Sequence, residues 1–545
     1  MESNPHAAGV SGQPVAMNPA RSPDGSAQAS DCPVCGSEEW NYSMNAHGLT
    51  FFTCGGCQLM RLYPDPSAKT LESIRRPQPT DAVESTEEEF ERARAYWKHL
   101  QTLLGSEALD AKILLLSSET ELLRRAGRDA GFHRIETLPA EGAAVPSEGT
   151  FDACLAVFSL ERMADPAGAL RQIHGLLKAE GKLLVVAPLT DSWPAKMCRD
   201  AWTQLCPENR FYFSSENLQT ALLGHDFHQI WVQPDRRRYS LAQLHRRALT
   251  YPATWLTKAV RAACTLVPAG LRSRIRVPLP TSAFIITATR TEPRKRPTLS
   301  IVMPVYNEKA TFAECFQAVR AKEVPGMDKE IVVVESNSKD GTRELVQELC
   351  TGDGVRLILQ EKASGKGNAV RAGLRAVTGD IVLIQDADLE YDVNDYDALV
   401  KPILQRKAAL VLGSRHVGSW KLRKFNDQPL VATFFNLGHL FFCTSLNLLY
   451  GQSLKDPFTM YKVFRADCLH GLEFECDRFD FDFEILIKLL RKGYRAVELP
   501  VNYNARSLNE GKKVTAVRDP LTWVRALVKF RLCKIGPPPE AAGAR

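Results

Sequence analysis

Two aspartates with one residue between them, Asp386 and Asp388, are the residues whose types and spacing most clearly suggest chemistry. They follow a largely aliphatic run, residues 380–384, which is typical of a buried strand. Side chains two apart on an extended segment point the same way, so both carboxylates can face one ligand. Paired carboxylates at the carboxyl end of a parallel strand suit a hard divalent cation that also contacts substrate phosphates. The pair therefore predicts a nucleotide-diphosphate site in the C-terminal half.

Polar residues also follow two other predicted strands of this half. Residues 303–308 contain Pro304, Tyr306 and Glu308, and residues 334–342 begin with Glu335 after the second strand. Each segment alone has a structural explanation as a strand-to-helix cap. Together with the acidic pair they predict a crevice above the strand ends, where carboxylates can accept hydrogen bonds from a base or a ribose.

A glycine-rich turn, residues 364–368, precedes a predicted helix over 369–376 and contains Lys366. Glycines let backbone amides approach a phosphate, the amino end of a helix offers unsatisfied donors, and the lysine adds a positive charge. A simple glycine turn is the usual explanation of such a motif taken alone. Its position one helix before the acidic pair favours a role in the same site.

The elements that must position these residues alternate between strand and helix in two blocks, which predicts an α/β fold with two tandem Rossmann-like sheets. The first block has predicted strands at 113–116, 151–157 and 182–187, and predicted helices at 121–130 and 167–177. The second has predicted strands at 299–305, 330–334, 355–359, 380–384 and 409–412, and predicted helices at 311–321 and 342–350.

The composition along the chain predicts the domain limits. Residues 1–29 are polar and rich in Ser, Pro and Gly, so they are predicted to be disordered. The predicted units that follow are a small metal-binding unit at 30–64, the first α/β domain at 65–290, a linker at 291–297, the second α/β domain at 298–535 and a flexible tail at 536–545.

Two close cysteine pairs predict the small metal-binding unit. Cys32 and Cys35 form the first pair, and Cys54 and Cys57 form the second about eighteen residues later. This is the spacing at which two turns meet around one tetrahedral zinc ion. Four unrelated reduced thiols are the alternative, but glycines beside both pairs suit the tight turns that a four-cysteine zinc ribbon needs.

Overall composition narrows the setting of the protein. A net charge of +6 spread over 545 residues, 24% of them charged, gives no case for a nucleic-acid partner. Most of the 14 cysteines stand singly among apolar residues, which favours a reducing, cytoplasmic environment. No secretory signal is visible, and the most apolar stretch, residues 430–450, is interrupted by polar residues. That stretch predicts a packed helix pair, with shallow contact at the inner membrane face as the alternative.

The second α/β block resembles the family 2 glycosyltransferases of the GT-A fold, in particular the bacterial branch similar to dolichol-phosphate mannose synthase. The segments that carry the resemblance are residues 304–308, 335–342, 365–367, 385–392, 413–415, 455–462, 478–484 and 504–513. The resemblance implies nucleotide-sugar recognition by Pro304, Tyr306, Glu308 and Glu335, and Mg²⁺ or Mn²⁺ held by Asp386 and Asp388 with Glu390.

The resemblance also implies sugar transfer by single displacement with inversion. Departure of the diphosphate builds negative charge, which a cation and basic side chains stabilise. The candidates for that basic role are Lys366, Arg415, Arg506, Lys512 and Lys513. A polyprenyl-phosphate acceptor is already ionised and needs no base. A hydroxyl acceptor would need one, for which Asp456 is the candidate, supported by Asp482 and Glu484, and each of these also has a structural explanation as a hydrogen-bond acceptor.

Two departures from the family pattern leave specificity open. Ser336 stands where the family usually has a second aspartate, and the C-terminal transmembrane helices of some relatives are missing. The identity of the base and sugar, and direct membrane embedding, are therefore not fixed by the resemblance.

The first block, with its cysteine pairs, resembles class I S-adenosylmethionine-dependent methyltransferases that carry a four-cysteine zinc leader. The matching text includes residues 151–152, 160–166, 176–184 and 224–227. The loop after the first strand departs from that family, because residues 117–121 contain Glu119 and Glu121 in place of glycines. Side chains there would crowd the cofactor and repel its carboxylate. Glu136 could still face a ribose, but S-adenosylmethionine binding is not expected, and the domain is predicted to be a non-catalytic scaffold or acceptor-binding module.

Three hypotheses follow for the whole chain. The first is a metal-dependent glycosyltransferase with an inert appended domain. The second is a bifunctional enzyme that methylates and glycosylates one precursor. The third is a nucleotide-sugar-binding protein without turnover, which the intact acidic pair disfavours. The sequence determines neither the sugar, nor the acceptor, nor the oligomeric state.

Overall fold

A computed structural model describes residues 31–64, 86–117, 119–137, 147–250, 255–292, 294–415, 429–504 and 518–535. The segments predicted to be disordered or flexible at the two ends, 1–29 and 536–545, lie outside these residues. The strands, numbered here in chain order, are β1 Trp40–Ala46, β2 Leu49–Cys54, β3 Met60–Leu62, β4 Ile113–Ser117, β5 Ile135–Thr137, β6 Phe151–Val157, β7 Leu177–Pro188, β8 Phe211–Tyr212, β9 Phe227–Ser240, β10 Arg276–Arg290, β11 Thr298–Val305, β12 Asp328–Glu335, β13 Val355–Leu359, β14 Ile381–Ile384, β15 Leu410–Ser414, β16 Lys462–Arg465 and β17 Ala496–Pro500.

The helices alternate with these strands through most of the chain. They are α1 Thr86–Leu104, α2 Thr120–Asp129, α3 Pro166–Leu176, α4 Trp193–Cys198, α5 Ser215–Gly224, α6 Leu241–Thr250, α7 Trp255–Thr265, α8 Ala269–Arg272, α9 Phe312–Ala321, α10 Thr342–Leu349, α11 Lys366–Ala376, α12 Tyr396–Leu404, α13 Pro429–Tyr450, α14 Phe481–Arg491 and α15 Arg518–Leu532.

The cysteine pairs belong to a small antiparallel sheet with strand order β1-β2-β3-β8. Trp40 and Phe51 are buried in it, so its core is largely aromatic. The outer strand β8 comes from far along the chain, with Tyr212 opposite Met60. The small sheet therefore takes its fourth strand from the first α/β domain and is not an independent N-terminal domain.

The first α/β domain has a sheet of order β5-β4-β6-β7-β10-β9. Strands β5, β4, β6 and β7 are parallel, and the two central ones, β4 and β6, are short runs of mostly buried apolar residues. The alternation of strand and helix predicts a doubly wound parallel sheet, and that prediction was wrong for β10. β10 pairs antiparallel with both β7 and β9, so β9 runs in the same direction as the first four strands. Residues 241–275, between β9 and β10, include three helices.

The second α/β domain has a seven-stranded sheet of order β13-β12-β11-β14-β16-β15-β17. β11 lies at its centre between β12 and β14, and all three are parallel. β16 alone is antiparallel to its neighbours. The predicted class, α/β with two Rossmann-like sheets behind a small cysteine-containing unit, is confirmed.

Residues 429–450 form one helix, α13, so the predicted helix pair was wrong. Asn447 and His439, two of the polar residues that interrupt the apolar run, are compatible with a continuous helix because they find local partners. The Asn447 side chain donates to the Leu454 carbonyl at 2.8 Å, and His439 lies 3.2 Å from the Lys455 carbonyl. Among the described helices, none is long and apolar enough to cross a bilayer.

The two α/β domains contact each other, and β9 meets two parts of the second domain, the turn after β16 and the residue that follows α14. The Val232 N–H donates to the Lys492 carbonyl at 2.8 Å, and the Gln229 N–H donates to an Asp467 carboxylate oxygen at 2.9 Å. Lys492 is fully buried, and its ammonium group lies 5.0 Å from the centre of the Trp231 ring. Main-chain hydrogen bonds and buried contacts of this kind join the domains into one unit.

Candidate functional site

Three strands end side by side at one edge of the second sheet. Val302 of β11 is opposite Ile384 of β14, and Val305 of β11 is opposite Glu335 of β12. All three run in the same direction, so the segments that follow them lie at the same edge. The structure thereby brings together the three polar segments that the sequence singled out.

The acidic pair follows β14 directly, and both side chains are half-buried. The Lys366 ammonium contacts the two carboxylate oxygens of Asp386 at 2.5 and 2.7 Å. One oxygen of Asp388 accepts the Glu390 N–H at 3.3 Å. A lysine charge at the first carboxylate is the kind of neighbour that a phosphate-binding cluster requires.

A residue that the sequence analysis gave no role fixes the main chain at this pair. Gln385 is fully buried, and its side-chain oxygen accepts hydrogen bonds from the hydroxyls of Tyr396 and Tyr461, both at 2.7 Å. Its side-chain nitrogen donates to the Asp386 carbonyl at 2.8 Å. Gln385 therefore orients the turn that carries the carboxylates. The only sequence signal for it is a glutamine ending an aliphatic strand.

Lys366 carries its charge in a half-buried position, with 18% of its side chain exposed. Burial lowers the pKa of the lysine, but the negative charges of Asp386, Asp482 and Asp388 outweigh that effect, so its pKa is raised. Lys462 lies in the same cluster, with its ammonium group 3.5 Å from an Asp482 oxygen. Burial lowers the pKa of Lys462 below its ordinary value despite Asp482. The cluster therefore holds two basic groups beside three carboxylates, which suits a phosphorylated ligand.

The glycines around Lys366 serve a different purpose from the one predicted. A side chain at Gly365, whose φ is +108°, would collide with the Asp477 carbonyl. A Cβ at Gly367 would lie 2.6 Å from the Phe481 Cβ. The glycines thus make room for the chain's own segment 476–481. Their effect on the site is indirect, because that close packing sets where Lys366 projects.

The segments after β11 and β12 are tied to each other. The Asn307 N–H donates to the Ser338 hydroxyl at 2.9 Å, and the Glu308 N–H donates to the Thr342 hydroxyl at 3.0 Å. One oxygen of Glu308 accepts the Thr311 hydroxyl at 3.2 Å. These bonds give the crevice a fixed wall, with Pro304 inside β11 and Tyr306 36% exposed at its rim.

Glu335 is fully buried at the end of β12. One of its oxygens accepts the Ser338 N–H at 2.6 Å. The other lies 3.2 Å from an Arg343 nitrogen but makes no hydrogen bond of good geometry within the described part of the chain. A buried carboxylate oxygen without a hydrogen bond is costly, so this atom is suited to accept one from a ligand.

Asp456 does not have the surroundings of a base. It is buried, and its two oxygens accept from the Arg415 guanidinium at 2.7 Å each, while the Arg415 N–H donates at 3.0 Å. Burial raises the pKa of Asp456, but Arg415 outweighs it and holds the pKa well below its usual range. Such a carboxylate is a poor proton acceptor near neutrality. Arg415 is in turn committed to this ion pair.

The other predicted carboxylates are also engaged. Glu484 is buried and accepts from Lys488 at 2.5 Å and from the N–H groups of Glu475 and Cys476. Glu390 accepts the Tyr503 hydroxyl at 2.8 Å, so it is directed toward that ring. Only Asp482, next to Lys462 and near Lys366, lies in the same charged cluster as the acidic pair. Arg506, Lys512 and Lys513 lie outside the described residues.

The four predicted zinc ligands do come together. The sulfur atoms of Cys32, Cys35, Cys54 and Cys57 all lie within 4.8 Å of one another. The Cys32–Cys57 and Cys35–Cys54 sulfur pairs are 3.5 Å apart. Four thiolates bound to one zinc at about 2.3 Å have sulfurs about 3.8 Å apart, so the donor set and its spacing fit that ion. Within the described ranges this is the one group of three or more ligand side chains that converges in this way.

The loop after β4 in the first α/β domain is held by side chains. The Glu119 carboxylate pairs with Arg92 of α1 at 3.2 Å, and the Glu119 N–H donates to the Ser117 hydroxyl at 3.0 Å. Glu136 lies within β5, and its carboxylate pairs with Lys112 at 3.0 Å, at the opposite end of β4 from that loop. The expectation that Glu136 could face a ribose at the loop was therefore wrong.

Comparison with protein families agrees with this division. Residues 300–470 match the family model described as "Glycosyl transferase family 2", and residues 87–230 match the one described as "Methyltransferase domain". The chain thus carries a family 2 glycosyltransferase domain preceded by a methyltransferase-like domain.

Several characterised proteins are similar to the C-terminal half. The chain is 29% identical to a dolichol-phosphate mannosyltransferase of Pyrococcus furiosus over 235 residues, 43% of this chain and 64% of that protein. It is 29% identical to the dolichyl-phosphate beta-glucosyltransferase ALG5C of Trichomonas vaginalis over 246 residues, 43% of this chain and 71% of that protein. Among solved structures, a Mycobacterium tuberculosis glucosyl-3-phosphoglycerate synthase with Mn²⁺, UDP-glucose and phosphoglyceric acid is 22% identical over 43% of this chain and 80% of its own, with a TM-score of 0.33. The chain spans less than two thirds of the length of the Pyrococcus relative.

Proposed function

We propose that this chain, through its family 2 glycosyltransferase domain, moves a sugar from a nucleotide-diphosphate sugar to an acceptor with inversion at the anomeric carbon. The observation that carries the proposal is the acidic pair after β14 beside Lys366. It lies at the sheet edge where the segments after β11 and β12 also end. Hard carboxylate ligands, buried basic groups and a crevice above parallel strands are together suited to a diphosphate.

In this proposal Asp386 and Asp388 hold Mg²⁺ or Mn²⁺. The bound cation would neutralise negative charge on the departing diphosphate. Lys366 would contribute a second positive charge from a half-buried position where Asp386 holds it, so little reorganisation is needed as the sugar–phosphate bond breaks. Glu390 is not required as a ligand, because its carboxylate already accepts a hydrogen bond from the Tyr503 hydroxyl. Two carboxylates together with substrate phosphates are a common cation site.

Glu335 and Glu308 would recognise the nucleoside. Glu335 offers a buried oxygen that lies 3.2 Å from Arg343 and makes no hydrogen bond to any described residue, and this oxygen could accept from the N–H of a base or from a ribose hydroxyl. The wall between the two segments is held by side chains, so the binding geometry would exist before the donor arrives. Tyr306, at the rim, can stack on a base.

The acceptor that the surroundings favour is a polyprenyl phosphate. Asp456 and Glu484 are occupied by buried basic partners, so a hydroxyl acceptor lacks an evident base among them. A phosphate acceptor is ionised near neutrality and needs none. Two similar proteins are named for dolichol-phosphate chemistry, which agrees with this choice.

Two helices next to the site support an acceptor held at a membrane surface. Large apolar side chains are exposed along both: Leu437, Leu440, Phe441, Leu448 and Leu449 on α13, and Leu521, Val524, Val528 and Leu532 on α15. On α15 the exposed apolar residues alternate with basic ones such as Arg525 and Arg531. An exposed apolar stripe flanked by basic residues is typical of a helix lying in the bilayer interface. The protein would therefore act as a peripheral enzyme at the inner membrane face.

The test is a donor panel. UDP- and GDP-sugars are incubated with the full chain, with a short-chain polyprenyl phosphate, and with or without Mn²⁺, while released nucleotide and labelled product are measured. Acceptor-dependent, metal-dependent product from one donor class supports the proposal. Binding of a nucleotide sugar without product from any donor would favour the non-catalytic alternative. Labelled S-adenosylmethionine in the same mixture tests the bifunctional alternative, since label transferred to the acceptor or product would establish it.

The methyltransferase-like domain is proposed to act as a scaffold and not as a second enzyme. Its cofactor loop carries Glu119, which pairs with Arg92, and Glu136 is held by Lys112 away from that loop. A cofactor carboxylate approaching the loop would meet a carboxylate where the family has glycine. The same domain contributes Trp231 and Val232 to the interface with the glycosyltransferase domain.

The four-cysteine cluster is proposed to hold one structural zinc ion. We expect a purified full chain to contain about one zinc per chain, because the four sulfurs already lie at the spacing of a tetrahedral site. Replacing Cys54, which is buried, by serine should release the metal and lower the melting temperature. Zinc content by atomic absorption checks the result, with Cys264→Ser, a buried cysteine elsewhere, as the matched control. Equal zinc in both variants would contradict the assignment.

A further inference from the structure

One segment of the methyltransferase-like domain has an unusual charge. Residues 236–276, here named the basic insertion, contain ten Lys and Arg residues and no Asp or Glu. The whole chain carries a net charge of +6, so the remainder of the chain is net negative. Nothing in the glycosyl-transfer chemistry requires this segment, because it joins β9 to β10 in the other domain.

The basic insertion is an ordered structure in the described ranges. Helices α6 and α7 pack together, and the Arg261 guanidinium donates to the Ala248 carbonyl at 2.7 Å. Arg272 donates to the Val267 carbonyl at 2.7 Å and so holds the turn before α8. Both arginines donate to main-chain carbonyl groups, which are neutral, so the positive charge of each arginine is not compensated by these bonds. The helices therefore present a fixed array of charge.

Apolar side chains are exposed along the outward side of α7 and just after its last turn. Ala259, Ala262 and Ala263 on the helix and Leu266 after it are exposed at helical spacing, and Leu266 is 86% exposed. Leu271 and Ile275, which follow in and after α8, are exposed as well. Exposed branched side chains on so short a segment indicate a surface that is covered by a partner.

Basic side chains surround these apolar residues. Lys258 is exposed on the outward side of α7, and Arg274 and Arg276 are exposed next to Ile275. Acidic neighbours lie at the root of the insertion, where Asp235 pairs with Arg237 and Glu88 accepts from Gln243. The helical part of the insertion therefore has uncompensated positive charge, and it also carries the exposed leucines.

We propose that the basic insertion docks on the surface of an anionic lipid bilayer. Leu266, Leu271 and Ile275 would enter the boundary between head groups and acyl chains, while Lys258 and Arg274 contact lipid phosphates. A bilayer suits this segment better than a nucleic acid does, because beneath its negative head groups it has an apolar interior that can bury the exposed leucines. The proposal goes beyond sugar transfer, since it concerns a different domain and needs no donor.

The test is sedimentation of the full chain with vesicles, without nucleotide sugar. Vesicles of phosphatidylcholine alone are compared with an equimolar mixture of phosphatidylcholine and phosphatidylglycerol. We expect binding to the mixed vesicles that weakens with salt. The double variant Lys258→Gln, Arg274→Gln should bind about 25-fold more weakly, at about fivefold for each basic side chain. Leu266→Ser should weaken binding about tenfold.

A matched double variant, Arg375→Gln with Lys407→Gln, removes the same charge from exposed positions of the glycosyltransferase domain and should bind as the wild type does. Melting temperatures of all variants establish that each is folded. The proposal is overturned if the Lys258 and Arg274 variant binds mixed vesicles as tightly as this control, if both vesicle types bind equally, or if duplex DNA is bound and vesicles are not. In the absence of vesicles, the variants of the basic insertion should release nucleotide from the donor as the wild type does. This measurement distinguishes failure of the membrane-docking proposal from failure of the proposed glycosyl transfer.

Discussion

Replacing Asp388 by alanine is expected to abolish sugar transfer and leave the fold intact. The residue follows β14 at the sheet edge, one position after the buried Ala387, and is half-buried beside the cluster of Lys366 and Asp386. Removing one of two carboxylates from a cation site removes charge that is needed most as the diphosphate departs. We expect a loss of at least about a hundredfold in turnover, or ~2.7 kcal/mol of transition-state stabilisation.

The measurement is product formation at saturating Mn²⁺ with the donor identified by the panel, with circular dichroism and thermal melting to establish the fold. Asp353→Ala, an exposed aspartate in the loop before β13, is the matched control and should retain full activity. Retention of more than about a tenth of wild-type turnover by Asp388→Ala, a loss below ~1.4 kcal/mol, would contradict the metal-site assignment.

Replacing Asp456 by asparagine is expected to destabilise the protein strongly. The aspartate is buried, and its partner Arg415 has only 11% of its side chain exposed. Asparagine keeps the volume but leaves the guanidinium charge buried without a counter-charge. Breaking one partner of a buried ion pair costs about 3 kcal/mol or more. Urea unfolding of the full chain measures the change, read as the shift of the transition that includes the glycosyltransferase domain.

An exposed ion pair provides the control for this effect. Arg94 and Asp129 lie 2.9 Å apart with 50% and 47% of their side chains exposed, so Asp129→Asn should cost less than about 1 kcal/mol. The double variant Arg415→Met, Asp456→Leu should recover part of the loss, because no charge then remains buried. If Asp456→Asn costs no more than Asp129→Asn, the carboxylate is not held as described, and a role as base becomes open again.

The parallel part of the fold could be predicted from sequence because it rests on a local signal. Short aliphatic runs such as residues 299–305 and 381–384 are buried on both faces, and each is a strand close to its predicted limits. The direction of β16 could not be predicted, since a four-residue run carries no information on the strand that it will pair with. The long hairpin of β9 and β10 was missed for a similar reason, because its polar residues hide the strand pattern.

Site residues could be predicted where their role depends on following a strand. They could not be predicted where their role depends on a partner far away in the sequence. Asp386 and Asp388 follow from the end of an aliphatic run. Asp456 was taken for a base because nothing near it in sequence reveals Arg415, which lies 41 residues earlier. The glycines at 365 and 367 were read as a phosphate loop for the same reason, since the segment that they accommodate begins about a hundred residues later.

The interface around Lys492 limits how the chain can be divided for study. A fragment beginning at residue 298 would lose the Trp231 ring that lies against the lysine and the Val232 N–H that bonds to its carbonyl. Burial lowers the pKa of that lysine to about 8, although Cys468 and Asp467 act in the opposite direction. Exposure to water would therefore restore its full positive charge, on a surface that packs against the other domain in the whole chain. Expression of the catalytic half by itself therefore calls for replacement of this lysine or retention of β9.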